Sequence, residues 1–178
     1  MTESIVDRSD TNAGRPVAAR FTLVDHHGKT VTERSYRGRN MLVFFGFTHC
    51  KKVCPRALSR LSTVLDRLGP AADLFVPLYV TVDPDRDTPM VMRDFLTRDH
   101  PRFTGLTGTS TQIDAAKSSF RVFARRVDDP DQSGGYQMPH SAFTFVFDIE
   151  GAYSTHFSDA VDEDELVRQL RVVSSDDR

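Results

Sequence analysis

Cys50 and Cys54 are the only cysteines in the chain and stand four residues apart. A disulfide over so short a span would remove only about 2 kcal/mol of unfolded-state entropy, against about 5 kcal/mol for a loop of about 100 residues. Redox exchange or metal binding therefore explains the spacing better than stapling does. The bland alternative is a pair of buried structural thiols, since cysteine is among the most buried residue types. The local setting favours reactivity. Cys50 follows the apolar run Met41 to Phe47, and Pro55 opens a stretch in which Leu58, Leu61, Leu65 and Leu68 recur at helical spacing. A strand that hands over to a helix at the cysteines sets both sulfurs near the helix's N–H groups and positive dipole end, which lowers thiol pKa values. Lys51 and Lys52 push the same way, so both sulfurs are expected to gain thiolate character.

The elements that must position this pair follow from pattern and punctuation. Phe21 to Val24 and Thr30 to Thr32 flank the polar turn Asp25-His-His-Gly28 and predict a hairpin. Met41 to Phe47 lacks alternation, which indicates a strand buried on both faces at the centre of a mixed or parallel sheet. Leu74 to Val82 is the next strand. Thr88-Pro89 caps a helix to about Arg98, and Thr109 with Gln112 forms a capping box for a helix to about Phe120. Phe103 to Leu106, Arg121 to Val127, Ala142 to Phe147 and Tyr153 to Phe157 read as extended, with Asp128 to Gly135 as a loop. Asp162 and Glu165 cap a last helix carrying Leu166, Leu170 and Val173. The order gives an α/β fold with an N-terminal hairpin and a central mixed sheet flanked by helices. Residues 1–18 read as a flexible arm, 19–174 as one domain and 175–178 as a tail.

Composition narrows the function classes. The chain has 178 residues and 39% hydrophobic content, enough for one packed core. Lys+Arg 23 against Asp+Glu 25 leaves a net charge of −2, which argues against nucleic-acid binding by bulk electrostatics. The longest strong apolar run is far shorter than the roughly 18 residues of a membrane span. The N-terminus carries acidic residues and no apolar signal core, so the sequence as it stands reads as cytoplasmic. A truncated N-terminus would instead allow a periplasmic or membrane-tethered protein. Nothing in the composition demands more than a monomer.

Four ordered motifs carry a resemblance. Phe45-Gly-Phe-Thr-His-Cys50 with Val53-Cys-Pro55, then Val82-Asp-Pro-Asp-Arg-Asp-Thr-Pro89, then Gly105-Leu-Thr-Gly108, then Tyr136 with His140 and Ser141, are similar to the Sco/SenC family. Its members are thioredoxin-fold copper chaperones and thiol–disulfide proteins of cytochrome oxidase assembly. The resemblance runs from Phe21 to Val173. It implies a thioredoxin-like fold and a metal site of Cys50, Cys54 and His140, with Cys50 and Cys54 also the redox pair. Two thiolates and an imidazole suit Cu(I), while zinc would want a fourth ligand. The implied partner is a copper-accepting or thiol-containing protein.

Two departures stand out. Lys51 and Lys52 replace the family's usual Pro and acidic or small polar residue, and Pro139 replaces the Asp that often precedes the histidine. By analogy with thioredoxins, Pro139 is a candidate cis-proline fixing the His140 backbone. Rival functions are a thiol–disulfide oxidoreductase, a peroxide-reducing or redox-sensing thiol protein, and a non-catalytic interaction domain. His140 favours metal, since a plain disulfide reductase needs no histidine there. His49 is expected to orient the loop, and His26, His27 and His100 to lie on the surface. The turn after Val82 is expected to pair Arg86 with Asp85 or Asp87.

Overall fold

The computed structural model describes residues 16–51, 53–132 and 134–176. Most of the expected arm, Lys52, Ser133 and the last two positions of the expected tail lie outside the described residues. The hairpin forms as β1 (Thr22–Asp25) and β2 (Thr30–Thr32). Asp25 closes it: its Oδ1 accepts the N–H groups of His27 and Lys29, both at 2.9 Å. Gly28 takes the positive φ of 87° that the turn needs.

The apolar run becomes β3 (Asn40–Gly46), buried at every position, and runs parallel to β4 (Phe75–Thr81), also buried throughout. β5 (Thr104–Thr107) continues the parallel set, while β8 (Phe143–Phe147) and β9 (Tyr153–Ser158) add antiparallel strands on the other side. The sheet order is β2-β1-β5-β4-β3-β8-β9. The strand carrying the first cysteine's loop is thus interior, with β4 and β8 as neighbours.

Helices α1 (Val53–Leu68), α2 (Pro89–Asp99), α3 (Ser110–Phe120) and α4 (Glu163–Asp176) flank the sheet. The expected caps are present: Thr88 Oγ1 accepts from Val91 N, Thr109 and Gln112 cap each other, and Asp162 Oδ1 accepts from Asp164 N. α1 packs on α4, with ion pairs from Arg67 to Glu163 and Asp164 along the contact. Rings set α3 against the sheet: Phe120 meets Phe45, Phe145 and Phe147 at 5.1–5.7 Å. Among the described residues no helix is long and apolar enough to cross a membrane.

Three expectations change. Arg121 to Val127 is not one extended run. Arg121 ends α3 in the left-handed region (φ 59°), where its N–H satisfies the carbonyls of Lys117 and Ser118. Only Ala124, in a single bridge, and Val127, in β6 (Val127–Asp128), pair. The expected loop holds over residues 129–132 and 134–135, but it joins two short strands not expected, with β6 antiparallel to β7 (Tyr136–Gln137). His100 is 5% exposed rather than on the surface, because it caps α2 and packs its ring 5.4 Å from Phe95.

Candidate metal centre

β3 ends at Gly46, and the chain turns through Thr48 and His49 before α1 begins. The turn is closed by Cys50 N–H donating to Phe47 O at 3.2 Å. Cys54, in the first turn of α1, donates its backbone N–H to Cys50 Sγ at 3.4 Å. A helix-terminal amide thus points at the first sulfur, as the strand-to-helix placement anticipates. Both cysteines are thiols; Cys50 is half-buried and Cys54 is 0% exposed.

Thiolate character does not extend to Cys54. Its pKa is pushed far above the ordinary thiol range, first by the hydrogen bond with Cys50 and next by burial. The helix dipole acts on a sulfur that no water reaches, and the Cys50 hydrogen bond together with desolvation outweighs it.

The floor beneath Cys54 is the bare Cα of Gly46. A Cβ there would stand 2.7 Å from Tyr79 Cε2 and Oη and 2.8 Å from Cys54 Sγ. The Tyr79 hydroxyl is fully buried and has no hydrogen-bond partner among the described residues. Burial, then the neighbouring Cys54, holds that phenol well above its usual range.

Asp87 anchors the turn that carries Cys50. It is 0% exposed and accepts from Thr48 N (3.0 Å), Thr48 Oγ1 (2.5 Å) and Thr81 Oγ1 (2.7 Å). Burial raises its carboxyl pKa despite these donors. The expected pairing of Arg86 with Asp85 or Asp87 is replaced by an ion pair with buried Asp83. Asp83 also accepts from Tyr136 Oη at 2.7 Å. The Arg86 guanidinium lies 3.6 Å from the Tyr136 ring centroid and donates to Tyr136 O at 3.1 Å, while Arg126 lies 3.7 Å from the same ring. Burial and the Asp83 hydrogen bond push the Tyr136 phenol up to about 12. The segment leading to His140 is therefore clamped to the turn that also holds the cysteine loop.

His140 is fixed from both sides. It forms an antiparallel bridge with Ala124, flanked by Arg125 N to Pro139 O (3.1 Å) and Ser141 N to Phe123 O (2.9 Å). These bonds do the work expected of a cis-proline; every described peptide bond, including that before Pro139, is trans. The ring stands edge-on to Phe47 at 5.8 Å. Nδ1 lies 2.9 Å from Met138 O, and a carbonyl only accepts, so Nδ1 carries the proton and Nε2 the lone pair. Nε2 is buried and has no hydrogen-bond partner among the described residues.

Cys50 and Cys54 are thus brought together, while His140 is tied to their loop through the edge contact with Phe47. Among the described residues no group of three or more His, Cys, Asp or Glu side chains is gathered closely enough to hold a metal ion. His49 contacts Thr48 Oγ1 through Nδ1 at 3.3 Å, within the loop. His156 sits on exposed β9, bonded to Tyr153 Oη. Sequence reasoning missed Tyr79 and Asp87. Asp87 stood in a quoted motif, but its burial depends on Thr48 and Thr81, which lie on other elements.

The SCO1/SenC family model matches residues 9–175. A SCO2-like protein of Rickettsia felis is 36% identical over 137 residues, spanning 77% of this chain and 67% of that protein. Among solved structures, Bradyrhizobium japonicum ScoI with copper bound aligns with a TM-score of 0.79 at 35% identity, over 89% of this chain and 99% of that one. Yeast Sco1 with copper bound aligns with a TM-score of 0.80 at 30% identity, over 89% and 88%. The mixed sheet flanked by helices is the thioredoxin-like architecture of these proteins. With a family match over nearly its whole length and relatives above 30% identity, the chain belongs to the SCO1/SenC family.

Proposed function

We propose that this protein holds Cu(I) through Cys50, Cys54 and His140 and passes it to a protein partner in assembly of a cytochrome oxidase copper site. The observation that carries the reading is His140 Nε2, a buried lone pair with no partner among the described residues, on a ring set edge-on to Phe47 at the start of the cysteine loop. An imidazole with its other nitrogen bonded to a backbone carbonyl is in the tautomer and orientation a metal ligand needs. Soft thiolates select Cu(I) over hard cations. Loading requires the thiols to lose their protons and the His140 ring to approach the sulfurs, so uptake releases protons. Delivery then proceeds by ligand exchange, a partner thiolate or thioether replacing one site ligand at a time. A reducing compartment keeps the pair as thiols, the form competent for metal.

Titration of the reduced protein with Cu(I) against a competing chelator tests the assignment. One tight equivalent is expected, weakened at least about tenfold by His140→Ala. Equal affinity in both proteins would falsify the three-residue set.

The contrast between half-buried Cys50 and enclosed Cys54 supports a second reading, thiol–disulfide exchange. The Cys50 thiolate would attack a partner disulfide and expel one partner thiolate. Cys54 would then displace the second, leaving Cys50–Cys54 oxidised and the partner reduced. Under that reading Cys50→Ser abolishes turnover of a model disulfide and His140→Ala does not; comparable losses from both count against it.

A further inference from the structure

Tyr79 sits in the middle of β4, in register with Phe44 on β3. Its ring stacks on Phe44 at 6.1 Å with an 11° tilt and meets Phe95 of α2 at 6.1 Å. Those contacts belong to the ring alone, and a phenylalanine would make them equally well. The hydroxyl is what needs explaining. It is wholly enclosed, it has no hydrogen-bond partner among the described residues, and it ends over Gly46 beside Cys54 Sγ. A buried hydroxyl left without a partner costs stability, so its presence calls for a use in another state of the molecule. A thiol sulfur is a weak acceptor, whereas a thiolate is a strong one for which hydrogen bonding is charge-assisted.

We propose that Tyr79 is a positioning residue for the Cys54 sulfur: its hydroxyl donates to Sγ when that sulfur is a thiolate ligand, fixing its place and carrying part of its charge. The proposal rests on the reading of Cys54 as a copper ligand. Two features of the site fit it. Cys54 is cut off from solvent, so no water can supply the same hydrogen bond. Gly46 supplies the close approach, since any side chain there would fill the space the hydroxyl and the sulfur share. Hydrogen bonds from the surroundings to a ligating sulfur are a recognised means of tuning a metal site.

Tyr79→Phe removes one oxygen and keeps the ring. Two measurements on the full chain read its effect. In Cu(I) competition with a chelator, the dissociation constant is expected to rise about tenfold. In metal-free glutathione buffers, reducing Cys50–Cys54 takes two electrons and two protons from two glutathione thiols, which become one glutathione disulfide. Without metal the reduced Cys54 is a thiol, a weak acceptor, so the variant should hold this equilibrium within about twofold of wild type. Thermal melting of the metal-free protein separates packing from bonding: losing a stranded hydroxyl leaves the melting temperature unchanged or higher. A weaker Cu(I) affinity, with the glutathione equilibrium kept and melting not lowered, supports the proposal. A Cu(I) affinity within about twofold of wild type, or a loss accompanied by a lower melting temperature or a shifted glutathione equilibrium, overturns it. If wild type itself binds no Cu(I), the copper reading fails and the proposal with it.

Discussion

Asp87 and Thr48 lie 39 residues apart, yet the Asp87 carboxylate accepts both the backbone N–H and the hydroxyl of Thr48, at 3.0 and 2.5 Å. Through this pair the turn after β4 fixes the loop that presents Cys50. The same turn, through Asp83 and Arg86, grips Tyr136 on the His140 segment. One short stretch between β4 and α2 thus sets the relative position of thiols and imidazole.

Asp87→Ala should remove the acceptor of three donors, two half-buried on Thr48 and one buried on Thr81, and destabilise the fold by about 2–4 kcal/mol. Asp87→Asn keeps one oxygen and should lose less. Urea titration of both variants, read against wild type, checks the order; an alanine variant as stable as wild type would contradict the anchoring role.

Gly46→Ala places a methyl group against Tyr79 and Cys54, both enclosed. Overpacking of this kind costs about 1–3 kcal/mol, and the displaced sulfur should also weaken Cu(I) binding. Calorimetric melting paired with metal competition reads both effects on one sample.

Alkylation should distinguish the two thiols. Cys54 is sealed from solvent and its thiol stays protonated at neutral pH, since its pKa is raised by the Cys50 hydrogen bond and by burial. Iodoacetamide at pH 8 should therefore label Cys50 at least about tenfold faster than Cys54. Peptide mass mapping over time reports the ratio, and equal rates would speak against an enclosed Cys54.

Stability should fall as the solution is acidified below pH 6.5. His26 Nδ1 accepts the Gly105 N–H at 2.8 Å, joining the hairpin to β5, and a protonated Nδ1 cannot accept. Burial, then the charge of His27, lowers the His26 pKa from 6.5. The unfolded chain therefore takes up the proton first. The stabilisation is complete above 6.5 and is lost as pH drops through that value towards the lowered folded-state pKa. Buried His100 is shifted the same way by burial and adds to the trend. His26→Gln, which keeps an acceptor that does not titrate, should flatten the curve in part; denaturation midpoints at pH 7.5 and 5 make the comparison.

What could be read from sequence was local. Met41 to Phe47 announces a central strand because it has no polar face to give to water, and Thr88-Pro89, Thr109 with Gln112, and Asp162 mark helix starts through bonds within one turn. The failures at the site came mostly from long-range contacts. Asp87 looks solvated until Thr48 closes on it from 39 residues away, and Arg86 takes Asp83, three residues back, where Tyr136 meets both. Cys54 reads as activated by its helix until the core is seen to enclose it. Tyr79 gives no signal at all, because an aromatic in a buried strand is ordinary and only the position of its hydroxyl is not.

The bridge between Ala124 and His140 joins the two ends of the excursion that includes β6 and β7. Since backbone bonds on both sides of the bridge hold the imidazole's strand, a change of length at its tip, near Asp131, is expected to leave the imidazole in place. The added closure entropy is only about 0.6 kcal/mol for each doubling of length. The imidazole is carried on a frame that tolerates drift in chain length. A recognition segment grafted onto that tip would leave the frame beneath it intact.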